Sequence, residues 1–375
     1  MQGTRRWIII GFSGVILLCI SGYAVFRISL YLREQPQPRG PYLQSITSES
    51  LWVVWDTTSP GPGRVQYGQT EALGQEVNET ETHLHHEIQL TGLESYTVYY
   101  YRIDEDSVAS FRTAPGSSQS DFHFVVYGDT REGVNTHRQI VDRILDVGPD
   151  FVIHTGDLVE SGRFKSEWDT FFRITAPLLR SAPFYPTLGN HEDFDPGFFD
   201  SHYRDIFHLP GNELWYAFDY GNARFICLKI DGYPIGTYFP DEDQLMWLEN
   251  ELAANDAPWL FVYFHIGVFT SREEGYLETG IRERLVPLFE QYEVDAVFMG
   301  HHHSYERIIK NGITYIVTAG GGAGLYELNQ PEPGSQVALS VHHFVEIKVK
   351  DELLIGSAID RHGKVIDRFE LSAEK

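Results

Sequence analysis

Five short apolar runs between residues 122 and 303 each end in a polar residue that can bind a metal ion. The runs read FHFVVYGD, FVIHTGD, FYPTLGNH, WLFVYFH and AVFMGHHH, and they end at Asp129, Asp157, Asn190–His191, His265 and His301–His303. Because ligand sites in α/β sheets form just beyond the carboxyl ends of the strands, these side chains are predicted to meet at one rim. Helical stretches such as HRQIVDRILDVG separate the runs, which predicts an α/β domain over residues 120–375 with a β-sheet core flanked by helices.

The residue types at the ends of the runs indicate the kind of metal. Carboxylate, amide and imidazole groups are ligands for Mn, Fe and Zn, and the absence of cysteine from the set argues against a structural zinc site. One carboxylate can bridge two ions, and two ions about 3.5–4 Å apart form a clamp for phosphoryl transfer. Alternate side chains of an extended segment share a face, so His301 and His303 are predicted to face the metals and His302 to point away.

Residues 39–114 carry a different pattern, made of short strands rich in β-branched and aromatic residues. SLWVVWDT and YTVYYYRID are examples, and turn segments such as SPGPG separate them. Strands of this length and spacing predict a small all-β sandwich of the immunoglobulin type.

The N-terminal segment, residues 1–33, is predicted to be a transmembrane helix or a signal. Trp7 to Phe26 is a run of twenty residues without a charge, about the length that spans a bilayer, and Arg5 and Arg6 precede it. We therefore expect a membrane-anchored protein with an extracytoplasmic catalytic domain. The alternative is cleavage after a small-residue segment, SGYA, which would give a secreted or periplasmic protein.

The charge balance narrows the class of partner. The chain has 29 Lys and Arg against 53 Asp and Glu, a formal net charge of −24 at pH 7. An acidic surface of this kind repels nucleic acid, so the predicted partner is a small molecule, and the oligomeric state stays open. The two cysteines, Cys19 and Cys227, do not form a disulfide framework.

Several motifs resemble those of a known family. GDT, GDLVE, GNHE, VYFH and GHHHSYER are similar to the motifs of the calcineurin-like metallophosphoesterases. The GHxHxYER form and the preceding sandwich resemble the purple acid phosphatase branch, with a fibronectin type III-like N-terminal domain in which LTGLESYTVYYYRI is similar to a Leu–Tyr corner around Tyr96. The resemblance extends over roughly residues 39 to 375.

The resemblance implies a reaction and a role for each motif residue. It implies hydrolysis of a phosphate ester by a hydroxide held between two Fe, Mn or Zn ions, with Asp157 bridging both ions. His191 would be the general acid that protonates the leaving oxygen. The remaining ligands would divide into one site of Asn190, His265 and His301 and another that includes Asp129 and His303.

The chain departs from the family at the first metal site. The general family has Asp-x-His in its first motif, where this chain has Asp129-Thr130-Arg131. The purple branch has a tyrosine three residues after the bridging aspartate, where this chain has Glu160. Either Glu160 is a carboxylate ligand, or Arg131 takes the ligand's place, pairs with Glu160 and contacts substrate phosphate. The incomplete site motivates an alternative function, a metal-poor, surface-tethered binding module with a degenerate phosphatase domain.

Overall fold

The structure is a computed structural model, which describes residues 37–193, 202–230, 241–272 and 276–373. The predicted transmembrane or signal segment, residues 1–33, lies outside these ranges. Of the helices in the described ranges, none is long and apolar enough to cross a membrane.

Between residues 39 and 112, which the structure describes without a gap, seven strands form two antiparallel sheets in the orders β1-β2-β5 and β4-β3-β6-β7. The strands are β1 Arg39–Gln44, β2 Ser50–Gly61, β3 Arg64–Gly68, β4 Gln75–Asn78, β5 His83–Thr91, β6 Val98–Ile103 and β7 Ala109–Arg112. Alternate residues of β5, namely His86, Ile88 and Leu90, are buried, as expected for a strand with one solvated face. The predicted all-β N-terminal domain is therefore present, while its likeness to fibronectin type III stays a prediction.

The corner tyrosine of this domain is not the one that the motif suggested. The Glu94 backbone N–H donates to the Tyr99 hydroxyl over 3.0 Å, which is the contact a tyrosine corner makes with the upstream chain. Tyr96 instead donates its hydroxyl proton to the Asp121 carbonyl over 2.9 Å. Tyr96 therefore joins the sandwich to the first strand of the next domain.

The described residues between 121 and 373 form an α/β domain with two sheets, ordered β10-β9-β8-β18-β19-β20 and β11-β12-β13-β14-β16-β15-β17. The strands are β8 Asp121–Tyr127, β9 Phe151–His154, β10 Phe184–Pro186, β11 Tyr216–Tyr220, β12 Ala223–Cys227, β13 Trp259–Ile266, β14 Ala296–Gly300, β15 Tyr305–Lys310, β16 Ile313–Thr318, β17 Ser335–Leu339, β18 His343–Lys350, β19 Leu353–Asp360 and β20 Val365–Ser372. The described helices are α1 Val134–Val147, α2 Lys165–Leu179, α3 Asn190–Asp193, α4 Tyr203–Ile206, α5 Glu242–Ala253 and α6 Tyr276–Gln291. The five predicted ligand strands therefore belong to two sheets, and the expectation of a single sheet rim was wrong.

The inner faces of the two sheets are joined by aromatic side chains. The Phe124 ring on β8 lies 5.1 Å from Phe225 on β12, 5.8 Å from Phe261 on β13 and 6.1 Å from Phe298 on β14, measured between ring centroids. All four side chains are fully buried. The side chains on the inner faces of packed sheets interdigitate in this way. This aromatic layer fixes the strand ends of one sheet relative to those of the other.

Helix α1 packs on the outer face of the six-stranded sheet. Its buried residues form a stripe of His137, Ile140, Val141 and Ile144. This i, i+3, i+4, i+7 spacing is that of an amphipathic helix. The helix ends at Gly148, whose φ of 62° places it in the left-handed region and whose N–H donates to the Ile144 carbonyl.

The contact between the two domains includes a set of histidines and carboxylates. His85 on β5 bonds Asp56 over 2.6 Å and Glu87 over 3.2 Å, and Glu87 also bonds His208 of the α/β domain over 3.0 Å. Burial opposes protonation of His85, but the bonds to Asp56 and Glu87 prevail and raise its pKa to about 9. The protonated ring therefore stabilises this contact.

We expect a pH-dependent loss of stability from this contact. Because the pKa of His85 rises from 6.5 to about 9 on folding, its stabilisation is complete below pH 6.5 and is lost as the pH rises through 9. The partly exposed ring contributes about 1 kcal/mol. Thermal unfolding of wild type and His85→Gln across this range should show a steeper fall of Tm in wild type. The exposed His83→Gln variant should follow wild type, and equal slopes for wild type and His85→Gln would contradict the assignment.

Candidate metal centre

The candidate ligands lie where the two sheets bring their strand ends together. Asp129, Asp157 and Asn190 follow β8, β9 and β10, which are parallel neighbours in the six-stranded sheet. His265 is near the end of β13 and His301 follows β14, and these two strands are parallel neighbours in the seven-stranded sheet. Long-range contacts join the two edges, since the His301 N–H donates to the Asp129 carboxylate over 3.1 Å.

Asp129, Asp157 and His303 form one group of potential ligands. One ligand atom from each residue lies within 4.8 Å of the others, and all three residues are buried. The His303 Nδ1–H donates to the Gly324 carbonyl over 2.6 Å, so the other ring nitrogen, Nε2, carries the lone pair. That nitrogen lies 3.3 Å from Asp129 Oδ1, and two acceptors held this close favour a cation between them.

Asn190, His265 and His301 form a second group beside the first. Asn190 Oδ1 lies 3.0 Å from His265 Nε2 and 2.9 Å from His301 Nδ1, and the two ring nitrogens are 3.3 Å apart. The His265 Nδ1–H donates to the Thr155 carbonyl over 2.8 Å, which leaves Nε2 as an acceptor facing the other two atoms. Asp157 Oδ1 lies 3.3 Å from the same nitrogen, so this carboxylate stands between the two groups. Convergence of oxygen and nitrogen acceptors on one point fits a metal ion of the Fe, Mn or Zn type.

The electrostatics of the groups suit metal binding. Burial holds the pKa of His301 well below 6.5 and keeps the ring neutral, the form that binds metals. Burial raises the pKa of Asp129, whereas the neighbouring His303 ring acts in the opposite direction. Both pKa shifts reflect ionisable groups that are buried close together, away from solvent.

The backbone at three of the candidate ligands is strained. Asp129, Asp157 and His301 have φ values of 58°, 54° and 68°, in the left-handed region that few residues other than glycine adopt. They lie two, three and one residues beyond the ends of β8, β9 and β14, respectively. Strain of this kind persists where the surroundings enforce it, and it clusters at functional sites.

Two glycines allow the loops to approach this closely. A Cβ atom on Gly189 would lie 2.2 Å from the Asp157 Oδ1 atom, and one on Gly300 would lie 2.6 Å from the Thr155 carbonyl oxygen. Real side chains do not reach such distances without displacing backbone. The glycine that precedes Asn190 and the glycine that precedes His301 are therefore required by the packing of the site.

His191 presents one ring nitrogen to the candidate centre. Its Nδ1–H donates to the Glu160 carbonyl over 2.7 Å, and its Nε2 lies 3.9 Å from Asp157 Oδ2. Among the described contacts, the backbone carbonyl of Glu160 orients this ring.

Glu192 holds the Asp157 loop to the Asn190 loop, a role that the sequence did not reveal. Its buried carboxylate accepts backbone N–H groups of Asp157, Val159 and Gly189 at 2.9, 3.0 and 2.9 Å. Burial and the Asp157 charge raise the pKa of Glu192 to about 8, while the three N–H donors lower it.

Glu192→Gln should lower the free energy of unfolding by about 1–3 kcal/mol, because an amide offers one acceptor oxygen and turns an NH₂ group toward a backbone donor. Urea unfolding measures this change. Glu249→Gln, an exposed site on α5, is the matched control. A loss no larger than that of the control would show that Glu192 does not hold the two loops together.

Arg131 and Glu160 are paired with each other. The Arg131 guanidinium donates to Glu160 over 2.9 Å and to Asp157 Oδ2 over 3.2 Å, and it lies 3.5 Å from Glu132. Three carboxylates thus surround this one cation.

His302, which lies between two candidate ligands in the sequence, is buried and is not a surface residue. It is 3% exposed, and a Cβ atom on Gly267 would lie 3.2 Å from its ring. Burial, and then the charge of Arg272, lower the pKa of His302 to about 3. The ring therefore packs beneath the loop as a neutral group.

The glycine-rich segment 320–324 packs against the first motif. The Gly321 N–H donates to the Gly128 carbonyl over 2.8 Å, and the Ala323 N–H donates to the Asp129 carbonyl over 2.9 Å. Beyond it, the Tyr326 ring stacks on His303 at 4.2 Å. The segment is a tight loop that fixes Asp129 and His303.

Comparison with known proteins agrees with this geometry. The family model described as calcineurin-like phosphoesterase matches residues 121–305, and the model of the purple acid phosphatase N-terminal domain matches residues 38–124. The chain contains a calcineurin-like phosphoesterase domain. The sandwich and the α/β domain of this protein therefore correspond to the two domains of a purple acid phosphatase-like chain.

Relatives of this protein include plant proteins. Phosphoenolpyruvate phosphatase of Allium cepa is 30% identical over 308 residues, which are 72% of this chain and 63% of the relative. Probable inactive purple acid phosphatase 1 of Arabidopsis thaliana is 28% identical over 291 residues, 65% of this chain and 46% of the relative. The chain thus spans less than two thirds of the length of these curated relatives.

A solved purple acid phosphatase from yellow lupin seeds has the same fold. It superposes with a TM-score of 0.74 at 24% identity, over 90% of this chain and 74% of the lupin chain. The structural agreement extends over both domains of this protein.

Proposed function

We propose that this protein is a dinuclear metal-dependent phosphoesterase that hydrolyses small-molecule phosphate esters. The observation that carries the proposal is the convergence of six donors from two sheets. They are Asp129, Asp157 and His303 in one group and Asn190, His265 and His301 in the other. The His191 Nε2 atom lies 3.9 Å from Asp157 Oδ2, and the His191 side chain is partly exposed.

Each part of the site has a chemical role in this proposal. Two bound ions would lower the pKa of water and neutralise charge on a phosphoryl group. Asp157 lies between the two donor groups and would contact both ions. His191 holds its Nδ1 proton on the Glu160 carbonyl, so the proton it gives to the leaving oxygen comes from Nε2.

The proposal is tested by hydrolysis of an aryl phosphate monoester by the full-length protein. After treatment with a chelator, we expect activity to be lost and to return when Mn, Fe or Zn is added. The relative described as probable inactive motivates the second candidate, a binding module with a degenerate site. Metal-loaded protein that hydrolyses neither an aryl monoester nor an aryl diester would favour that candidate.

Arg131 is proposed to take the place of the missing ligand of the first site. Its pairing with Glu160 and Asp157 supports this assignment over direct binding of metal by Glu160. Glu160→Gln should therefore leave two ions bound per chain, as measured by metal titration, with Arg131→Ala as the parallel variant. Loss of the second ion in Glu160→Gln alone would instead identify Glu160 as a ligand.

We further propose that residues 1–33 hold the protein at the membrane with its phosphoesterase domain outside the cytoplasm. The twenty uncharged residues from Trp7 to Phe26 support this placement. Membrane fractionation combined with N-terminal sequencing tests it. A soluble protein that begins after SGYA would indicate a cleaved signal instead.

A further inference from the structure

The cation that best suits the binding of substrate phosphate is not the arginine of the first motif. Arg131 is surrounded by the carboxylates of Asp157, Glu160 and Glu132 at 3.2, 2.9 and 3.5 Å. The N–H donors and the charge of Arg131 are therefore already engaged in contacts within the protein. A substrate anion at this position would compete with three fixed carboxylates.

Arg272 differs from Arg131 in this respect. Within the ranges that the structure describes, no carboxylate lies within salt-bridge distance of the half-buried Arg272 side chain. Its guanidinium carbon instead lies 4.0 Å from the centroid of the Tyr326 ring, a cation–π contact that leaves the N–H donors available.

Arg272 is close to the candidate metal centre. The Tyr326 ring that it contacts stacks on His303 at 4.2 Å, and the Tyr326 N–H donates to the His303 carbonyl over 2.9 Å. Arg272 is thus separated from the candidate ligand His303 by one aromatic ring, that of Tyr326.

The backbone that carries Arg272 is firmly anchored. The preceding residue, Ser271, donates its N–H and its hydroxyl to the buried Glu306 carboxylate over 2.7 and 2.6 Å. Ser271 also accepts backbone N–H groups of Gln330 and Glu332, both over 2.9 Å. A side chain that starts from a fixed backbone loses less entropy when it binds a ligand.

We propose that Arg272 binds the phosphoryl oxygens of the substrate and thereby favours phosphate esters with two negative charges over those with one. The inference rests on the proposed phosphoesterase function. In a chain with a formal net charge of −24, an anionic substrate needs such a local cation. Guanidinium matches phosphate through paired N–H donors, and a diester has one fewer charged oxygen to offer.

The first test is binding of inorganic phosphate to the full-length, metal-loaded protein by calorimetry. We expect Arg272→Gln to weaken phosphate binding about 10- to 100-fold, as for loss of a charge-assisted hydrogen bond, and Arg272→Lys to recover part of the loss. Arg368→Gln, an exposed site on β20 with the same charge change, should differ from wild type less than about 2-fold. Unchanged phosphate affinity in Arg272→Gln, with unchanged Tm, would overturn the proposal.

The second test compares kcat/KM for an aryl phosphate monoester and its methyl diester. Arg272→Gln should lower the value about 10- to 100-fold for the monoester and less than about 3-fold for the diester. Equal losses for the two esters would overturn the selectivity. If wild type binds phosphate but hydrolyses neither ester, the proposed function fails while the calorimetric result still decides the role of Arg272. If hydrolysis occurs and phosphate affinity is unaffected by the substitution, only the role of Arg272 fails.

Discussion

Asp157→Asn should abolish hydrolysis and remove bound metal. Asp157 Oδ1 lies 3.3 Å from His265 in one donor group, and the same carboxylate belongs with Asp129 and His303 in the other. Its charge is therefore shared by both candidate sites. Substitution of a residue that only supports a metal ligand lowers metal affinity or activity about 10- to 100-fold. Loss of a ligand shared by both sites should therefore lower kcat/KM at least about 1000-fold.

The Asp157→Asn variant keeps the size of the side chain, which separates loss of charge from loss of packing. Metal content after dialysis and kcat/KM for an aryl monoester are the two measurements. Asp142→Asn, at an exposed position on α1, makes the same chemical change far from the donors and should retain both ions. A variant that keeps two ions and more than about a tenth of its activity would rule out a bridging role.

His191→Ala should depress hydrolysis most for esters with poor leaving groups. Proton donation by a positioned side chain contributes about 10²- to 10⁴-fold, and an alkoxide needs that proton far more than a nitrophenolate does. We therefore expect a loss in this range for an alkyl phosphate and a loss below about 10-fold for 4-nitrophenyl phosphate.

The loop around His191 should survive the substitution. The His191 N–H donates to Asp157 Oδ1 over 3.1 Å, and the His191 carbonyl accepts the Gly162 N–H over 3.0 Å. Both bonds use backbone atoms of His191, which the substitution keeps. His362→Ala, an exposed substitution, is the control. Equal losses for the two esters would show that His191 positions the substrate without donating a proton.

The strand-end pattern predicted which residues would meet, but not how the sheets are arranged. Asp129, Asp157 and Asn190 each follow a buried strand, and parallel neighbours place their ends at one edge. The contribution of His265 and His301 from a second sheet depends on the aromatic layer around Phe124. Pairings between residues more than a hundred positions apart do not follow from local periodicity.

The groups that support the ligands were the least predictable part of the site. Glu192 looks like an ordinary residue of a motif, and only the fold shows that it accepts three backbone N–H groups. Arg272 and Tyr326 come from separate loops and meet only through tertiary packing. His302 was expected to point away from the metals, and its burial behind a positive-φ residue, His301, did not follow from the sequence.

The existence of a dinuclear centre across the two sheet edges is tested most directly by counting bound ions. Chelator-treated, full-length protein is dialysed against Mn, Fe or Zn and its metal content is measured, for wild type and for His301→Ala. We expect two ions per chain in wild type and the loss of one in the variant. Wild-type protein that binds no ion under these conditions, or a variant that retains both, would contradict the assignment of these residues as a metal centre.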